Sequence, residues 1–174
     1  VPGRTAVGSP GAAVPAARNP GGGQVGSATD DGPAGGEDVA QAITDMVVRG
    51  APAIGITAAY GVVLAARSRY GQSVADWRET IATDIERLAQ SRPTAINLFW
   101  ALTKMQAVMA TVSGDDDPEP VLLKAARAIH DDDIAANRHM GALGTAIIQA
   151  GGGGEACSVL THCNAGALAT GGYG

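Results

Sequence analysis

Cysteine is nearly absent: Cys157 and Cys163 are the only two in 174 residues. Two thiols are too few to staple a secreted scaffold, and such scarcity fits a reducing, cytoplasmic setting. Basic residues are also scarce. Twelve Lys and Arg against 17 Asp and Glu leave a formal net charge of −5 and a pI near 5.0. Nucleic acid calls for a basic surface, so it is excluded as a partner. The first 40 residues hold no apolar core of a secretory signal. A long uncharged run, "GAPAIGITAAYGVVLAA" at 50–66, contains Pro52 and is shorter than the ~20 apolar residues that span a bilayer. It predicts a buried core helix, and no membrane partner. Missing too are G-x-S-x-G and a P-loop; "GGGGEA" precedes an apolar run and so sits in the wrong place for a dinucleotide fingerprint.

What is present divides the chain in three. Residues 1–36 are Gly, Pro and Ala in 22 positions and contain no Leu, Ile or aromatic residue. Such a segment cannot bury enough apolar surface to offset ordering, so disorder is expected there. Residues 37–150 read as a helical domain. Val39, Ile43, Met46 and Val47 fall at helical spacing, with acids ahead of them where the helix dipole favours them. Pro52 suits the first turn of a second helix running to about Tyr70. Ser73 with Asp76 makes a capping-box pattern, followed by Val74, Trp77, Ile81, Ile85 and Leu88 on one face. Pro93 is again suited to a helix start, before "TAINLFWALTKMQAVMATV". Asp117-Pro118 opens a last helical region reaching Ala150, with a break expected near Asp131-Asp132-Asp133. The two acid triplets, 115–117 and 131–133, read as solvated turns or helix ends.

Glycines at 151–154 stop the helix, and the pattern then changes. "ACSVLTH" at 156–162 is a short apolar run with Val and Thr, which reads as a buried strand, and Asn164 is a plausible N-cap for a helix beginning "AGALAT". Residues 151–174 therefore read as the start of an α/β domain that the chain breaks off, and the fold class as mainly α.

Three places suit chemistry. Arg49 in "VVRGAPAIG" is a charge beside Gly50 and a proline-started helix. It reads either as an anion site made with the helix N-terminus or as an arginine bridging neighbouring helices. Arg92 in "SRPTAINLFW" repeats that arrangement. Cys163 would lie at a strand's carboxyl end before a helix N-cap, a position that lowers a thiol's pKa and faces the crevice where open sheets bind ligands. A buried inert thiol is the alternative. Zinc fits poorly, because His130, His139, Cys157 and the adjacent His162 and Cys163 offer no tight ligand pair.

Taken together, "VVRGAPAIGITAAYGVVLAA", "SRPTAINLFWAL" and "VLTHCNAGALATGGYG" resemble the 5-methylthioribose-1-phosphate isomerase family across about residues 38–174. Its relatives are the alpha, beta and delta regulatory subunits of the translation-initiation guanine-nucleotide exchange factor and the ribose-1,5-bisphosphate isomerases. The resemblance implies an aldose–ketose isomerisation in methionine salvage, on a small sugar-phosphate substrate and with no metal or other cofactor. It implies that Arg49, Gly50, Ala51 and Arg92 contact substrate and that Cys163 stabilises the transition state or acts as an acid/base partner. It further implies a homodimer for the full-length form, and a Rossmann-like C-terminal domain of which "ACSVLTH" is the first strand. The family's catalytic aspartate belongs to a "GADRI"-type motif downstream of residue 174. The chain is therefore expected to be a fragment that is inactive alone.

Overall fold

The computed structural model describes residues 35–151, 158–163 and 165–174, all within the unit Pro33–Gly174. The disorder expected for 1–36 lies outside the described residues up to 34 and is corrected at its end, where Gly35 is the N-cap and Gly36 the first, buried residue of α1. The strand residues Ala156 and Cys157 and the N-cap role of Asn164 also lie outside the described residues. Among the described residues there are five α-helices and one short 3₁₀ turn. They are α1 (Gly36–Thr44), α2 (Ala51–Gln72), α3 (Trp77–Ser91), α4 (Ile96–Met109), α5 (Glu119–Gly151) and the turn Ala167–Ala169. Mainly α is thus the architecture observed.

The bundle is built around α2, which touches each of the other four helices. A helix that is apolar all round has no solvent face to offer and must be enclosed. Ile54, Ile56, Ala58, Ala59, Val62, Val63, Ala65 and Ala66 are accordingly buried. By length and composition α2 is also able to cross a membrane, yet 61% of its most apolar window is already covered by its own neighbours. Small side chains bring those neighbours close. A β-carbon on Gly61 would lie 2.9 Å from Val39 of α1 and 3.1 Å from Leu88 of α3. The expected face of α3 is realised by Trp77, Ile81, Ile85 and Leu88, all buried, but Val74 is 42% exposed. Ser73 and Asp76 do bond each other: the Ser73 hydroxyl donates to Asp76 Oδ2 at 2.9 Å and accepts from its N–H at 3.3 Å. That turn precedes α3 and leaves Val74 outside the helix.

Charged groups tie the helices at the rim. The Arg69 guanidinium grips the buried Asp84 carboxylate in two hydrogen bonds, Nε to Oδ2 at 2.6 Å and Nη2 to Oδ1 at 3.0 Å. Arg87 pairs with Glu37 at 2.9 Å, joining α3 to α1. Arg78 donates to the carbonyls of Met109 at 3.0 Å, of Val112 and of Ser113, closing the carboxyl end of α4, where helix carbonyls are left unpaired.

Five further expectations are corrected. First, α1 ends at Thr44, so Met46 and Val47 are not on its face. The Val47 N–H reaches the Ala42 carbonyl at 3.0 Å and the Met46 N–H reaches Ile43 at 3.2 Å, with Met46 at φ 57°. This is a Schellman stop, and it turns both side chains to solvent. Second, Pro93 does not begin a helix. It lies in a turn closed by Ala95 N–H on the Arg92 carbonyl at 2.9 Å, and α4 starts at Ile96. Third, α5 runs without a break through Asp131–Asp133, because Asp131 and Asp132 stay in solvent and Asp133 finds partners. Fourth, residues 158–162 form no strand. Val159 is 62% and Leu160 98% exposed, and nothing in the described chain supplies a partner ladder. A strand without a neighbour leaves its N–H and C=O groups unpaired and is not stable by itself. Fifth, the helix expected from Ala165 is only the 3₁₀ turn.

Candidate site at the start of α2

Gly50 is the N-cap of α2 with φ 99° and ψ 137°, a conformation that side-chain-bearing residues rarely adopt. It carries no side chain for a second reason. The buried Ala169 packs on it so closely that a β-carbon there would lie 2.5 Å from the Ala169 backbone and side chain. Residues 49–51 are thereby brought against the "LATGGYG" segment, about 120 residues later in the chain. The Gly50 carbonyl accepts from Ile54 at 3.0 Å, while Pro52, in the first turn, has no N–H to offer. The first amides of α2 are left facing outward at the positive end of its dipole.

Arg49 is exposed in the link between α1 and α2 rather than lying between apolar helices, so there is no burial cost for a partner to offset. Arg92 is half-buried at the carboxyl end of α3, just before α4. Neither guanidinium has an ion-pair or hydrogen-bond partner among the described residues, unlike Arg67, Arg69, Arg78 and Arg87. The helices that follow them meet nearby: Asn97 of α4 packs on Gly55 of α2, where a β-carbon would be 2.8 Å from the Asn97 carbonyl oxygen. Cys163 is exposed with φ 60°. A buried inert thiol does not describe it, nor does a strand's carboxyl end.

Beside the α2 start lies a cleft of about 360 Å³ between α2, α4 and α5. Pro52, Ile56 and Trp100 form apolar walls, and Asn97, Lys104 and Asp133 are among its polar groups. Lys104 Nζ stands 4.4 Å from the centre of the Trp100 ring. None of the five residues singled out from the sequence lines this cleft.

Sequence reasoning missed His130 and Asp133. The Gly171 N–H donates to Asp133 Oδ2 at 2.7 Å, and the Gly171 carbonyl lies 2.7 Å from His130 Nε2. Tyr60 OH stands 3.3 Å from His130 Nδ1 with the two rings edge to face, and Asn137 Nδ2 donates to Asp133 Oδ2 at 3.2 Å. The signal available was the i, i+3, i+7 spacing of His130, Asp133 and Asn137, which puts them on one face of α5. Reading Asp133 with its two solvated neighbours hid it.

The fold and the site together define a mainly helical module whose central helix presents its N-terminus, with two arginines left unpaired among the described residues nearby, to a glycine-rich turn. Residues 47–171 match the Initiation factor 2 subunit family, and the chain belongs to it. It is similar to the methylthioribose-1-phosphate isomerase of Nitrosococcus oceani, 58% identical over 137 residues that cover 79% of this chain and 38% of that protein. It is also similar to the Methylococcus capsulatus protein of the same name, 60% identical over 136 residues covering 78% and 37%. Among solved structures it resembles 5-methylthioribose 1-phosphate isomerase from Pyrococcus horikoshii, with TM-score 0.70 and 37% identity over 80% of this chain and 38% of that one. A second is the translation initiation factor eIF-2B subunit delta from A. fulgidus, with TM-score 0.66 and 34% identity over 78% and 38%. The chain thus spans about two-fifths of the length of the curated relatives it matches.

Proposed function

We propose that this chain is the helical portion of a cytoplasmic aldose–ketose isomerase that converts 5-methylthioribose 1-phosphate to 5-methylthioribulose 1-phosphate in methionine salvage. The observation that carries the reading is identity of 53–60% to relatives named methylthioribose-1-phosphate isomerase. The phosphate blocks the anomeric oxygen, so the sugar ring must be opened with help before hydrogen moves from C2 to C1. In that transfer the C2 hydroxyl carbon is oxidised to a ketone and C1 is reduced, with no net change in electrons. The free amides at the start of α2, with Arg49 and Arg92, supply positive charge for the phosphate. Gly50 and Ala51 let the substrate approach the backbone, and Cys163 assists proton transfer or stabilises the developing charge. Residues 156–162 become the first strand of a Rossmann-like domain once neighbouring strands pair with them, and the full-length form is a homodimer.

The test is turnover of 5-methylthioribose 1-phosphate by a full-length protein carrying this segment, beside the chain alone. The full-length protein should isomerise it and the chain alone should show negligible turnover. In the active protein Arg49→Ala and Arg92→Ala should each raise KM by a factor equivalent to about 1.5–3 kcal/mol, the worth of a charge-assisted hydrogen bond. A full-length protein without turnover would favour a regulatory subunit like the exchange-factor relatives. Unchanged KM with a lowered melting temperature would make both arginines structural.

A further inference from the structure

We infer that His130 and Asp133 are positioning residues, a two-point clamp that sets the gap between the start of α2 and the turn that closes it. The inference rests on the functional reading above and names residues that the reading does not use. Gly171 has one backbone donor and one backbone acceptor, and α5 takes both. Its N–H goes to Asp133 Oδ2 and its carbonyl to His130 Nε2, each at 2.7 Å. A carbonyl only accepts, so Nε2 carries the ring proton and Nδ1 is left to accept from Tyr60 OH at 3.3 Å. Tyr60 belongs to α2, so the imidazole links α2, α5 and the turn. Asp133 is steadied in the same way by Asn137 at 3.2 Å.

The grip is tight. A β-carbon on Gly171 would lie 2.8 Å from His130 Cδ2 and 3.1 Å from Asp133 Oδ2. Two residues earlier Ala169 abuts Gly50, so any slip at Gly171 moves the wall of the site. Asp133 also lines the cleft beside Pro52 and Gly55, which places the clamp next to the first turns of α2. The core of the bundle, by contrast, is made by α1–α4 and the first third of α5, with Ile129 as its last buried residue on α5. Loosening the turn should therefore leave the bundle folded.

The experiment measures binding of 5-methylthioribose 1-phosphate to the full-length protein carrying this segment by calorimetry, with melting temperature and Gly171 amide exchange recorded in parallel. His130→Ala and Asp133→Ala should each weaken binding roughly 5- to 20-fold, the worth of one or two lost hydrogen bonds. Both should speed exchange at Gly171 and barely shift melting. His130→Gln, whose amide nitrogen reaches about as far as Nε2, should restore binding to within about threefold, since the donated bond is regained. Equal binding in all variants overturns the clamp while leaving the isomerase reading intact. Weaker binding that tracks lost melting temperature, with no rescue by Gln, makes these residues structural and also overturns it. Absence of binding by the unsubstituted full-length protein overturns the functional reading, and this inference with it.

Discussion

Ala169 closes directly onto Gly50, with no room for a β-carbon between them: one built on Gly50 would stand 2.5 Å from the Ala169 backbone. Two penalties would fall on Gly50→Ala together. The φ of 99° is strained for any residue with a side chain, and the turn would have to back away. A loss of about 1–3 kcal/mol in urea unfolding is expected, with faster amide exchange at 169–171. A neutral substitution would mean that the turn does not rest on α2.

Asp84 is the one buried charged residue among the described residues, and Arg69 is its counter-ion. The hydrogen bond to Asp84 raises the Arg69 pKa above its already high ordinary value. A cation with a raised folded-state pKa contributes stability at every pH below its unfolded value, and loses it only as pH climbs past the folded one. Arg69 should therefore contribute a constant amount across neutral and moderately alkaline pH. Asp84→Ala would strand the guanidinium, and the cost should be about 2–3 kcal/mol, less than for a fully buried pair because Arg69 is 29% exposed. A double-mutant cycle with Arg69→Ala checks it. Additive losses would show that the pair is not coupled.

Local pattern was enough for the helices because their stabilising contacts repeat every three or four residues. It failed where a bond decides the outcome. Met46 and Val47 continue the spacing of α1, yet two backbone bonds in the Schellman stop end the helix before them. Pro52 and Pro93 look alike in sequence, but one sits in the first turn of a helix and the other in a turn three residues ahead of one. The start of α2 at Gly50 was legible because a glycine just ahead of a proline-started helix has a local meaning. His130 and Asp133 were not, since Gly171 lies 41 and 38 residues away from them. The strand expected at 156–162 failed for a physical reason: pairing is a property of two segments, and 158–162 has no partner among the described residues.

Met46 offers a test of the stop itself. It is 52% exposed and holds φ 57° at the position where such motifs favour glycine. Met46→Gly should stabilise the chain by about 0.5–1 kcal/mol, because relief of left-handed strain outweighs the added freedom of the unfolded chain. A loss of stability of that size would show that the methionine side chain packs more than its exposure implies.

Cys163 is the sharpest remaining test, because its exposure removes one explanation and leaves two. An exposed thiol is open to reagent whether or not it serves chemistry, so labelling alone decides nothing. Protection does. In the full-length protein, saturating 5-methylthioribose 1-phosphate should slow alkylation of Cys163, and Cys163→Ser should fold normally while kcat falls about 10²–10⁴-fold. Serine keeps the size and loses the acidity, so a drop in kcat without a drop in melting temperature isolates the proton-transfer or charge-stabilising role. Cys157→Ser serves as the control and should retain activity. Full activity in Cys163→Ser, or alkylation indifferent to substrate, would reduce Cys163 to a surface residue and leave the arginines and the α2 start as the whole of this chain's contribution to the site.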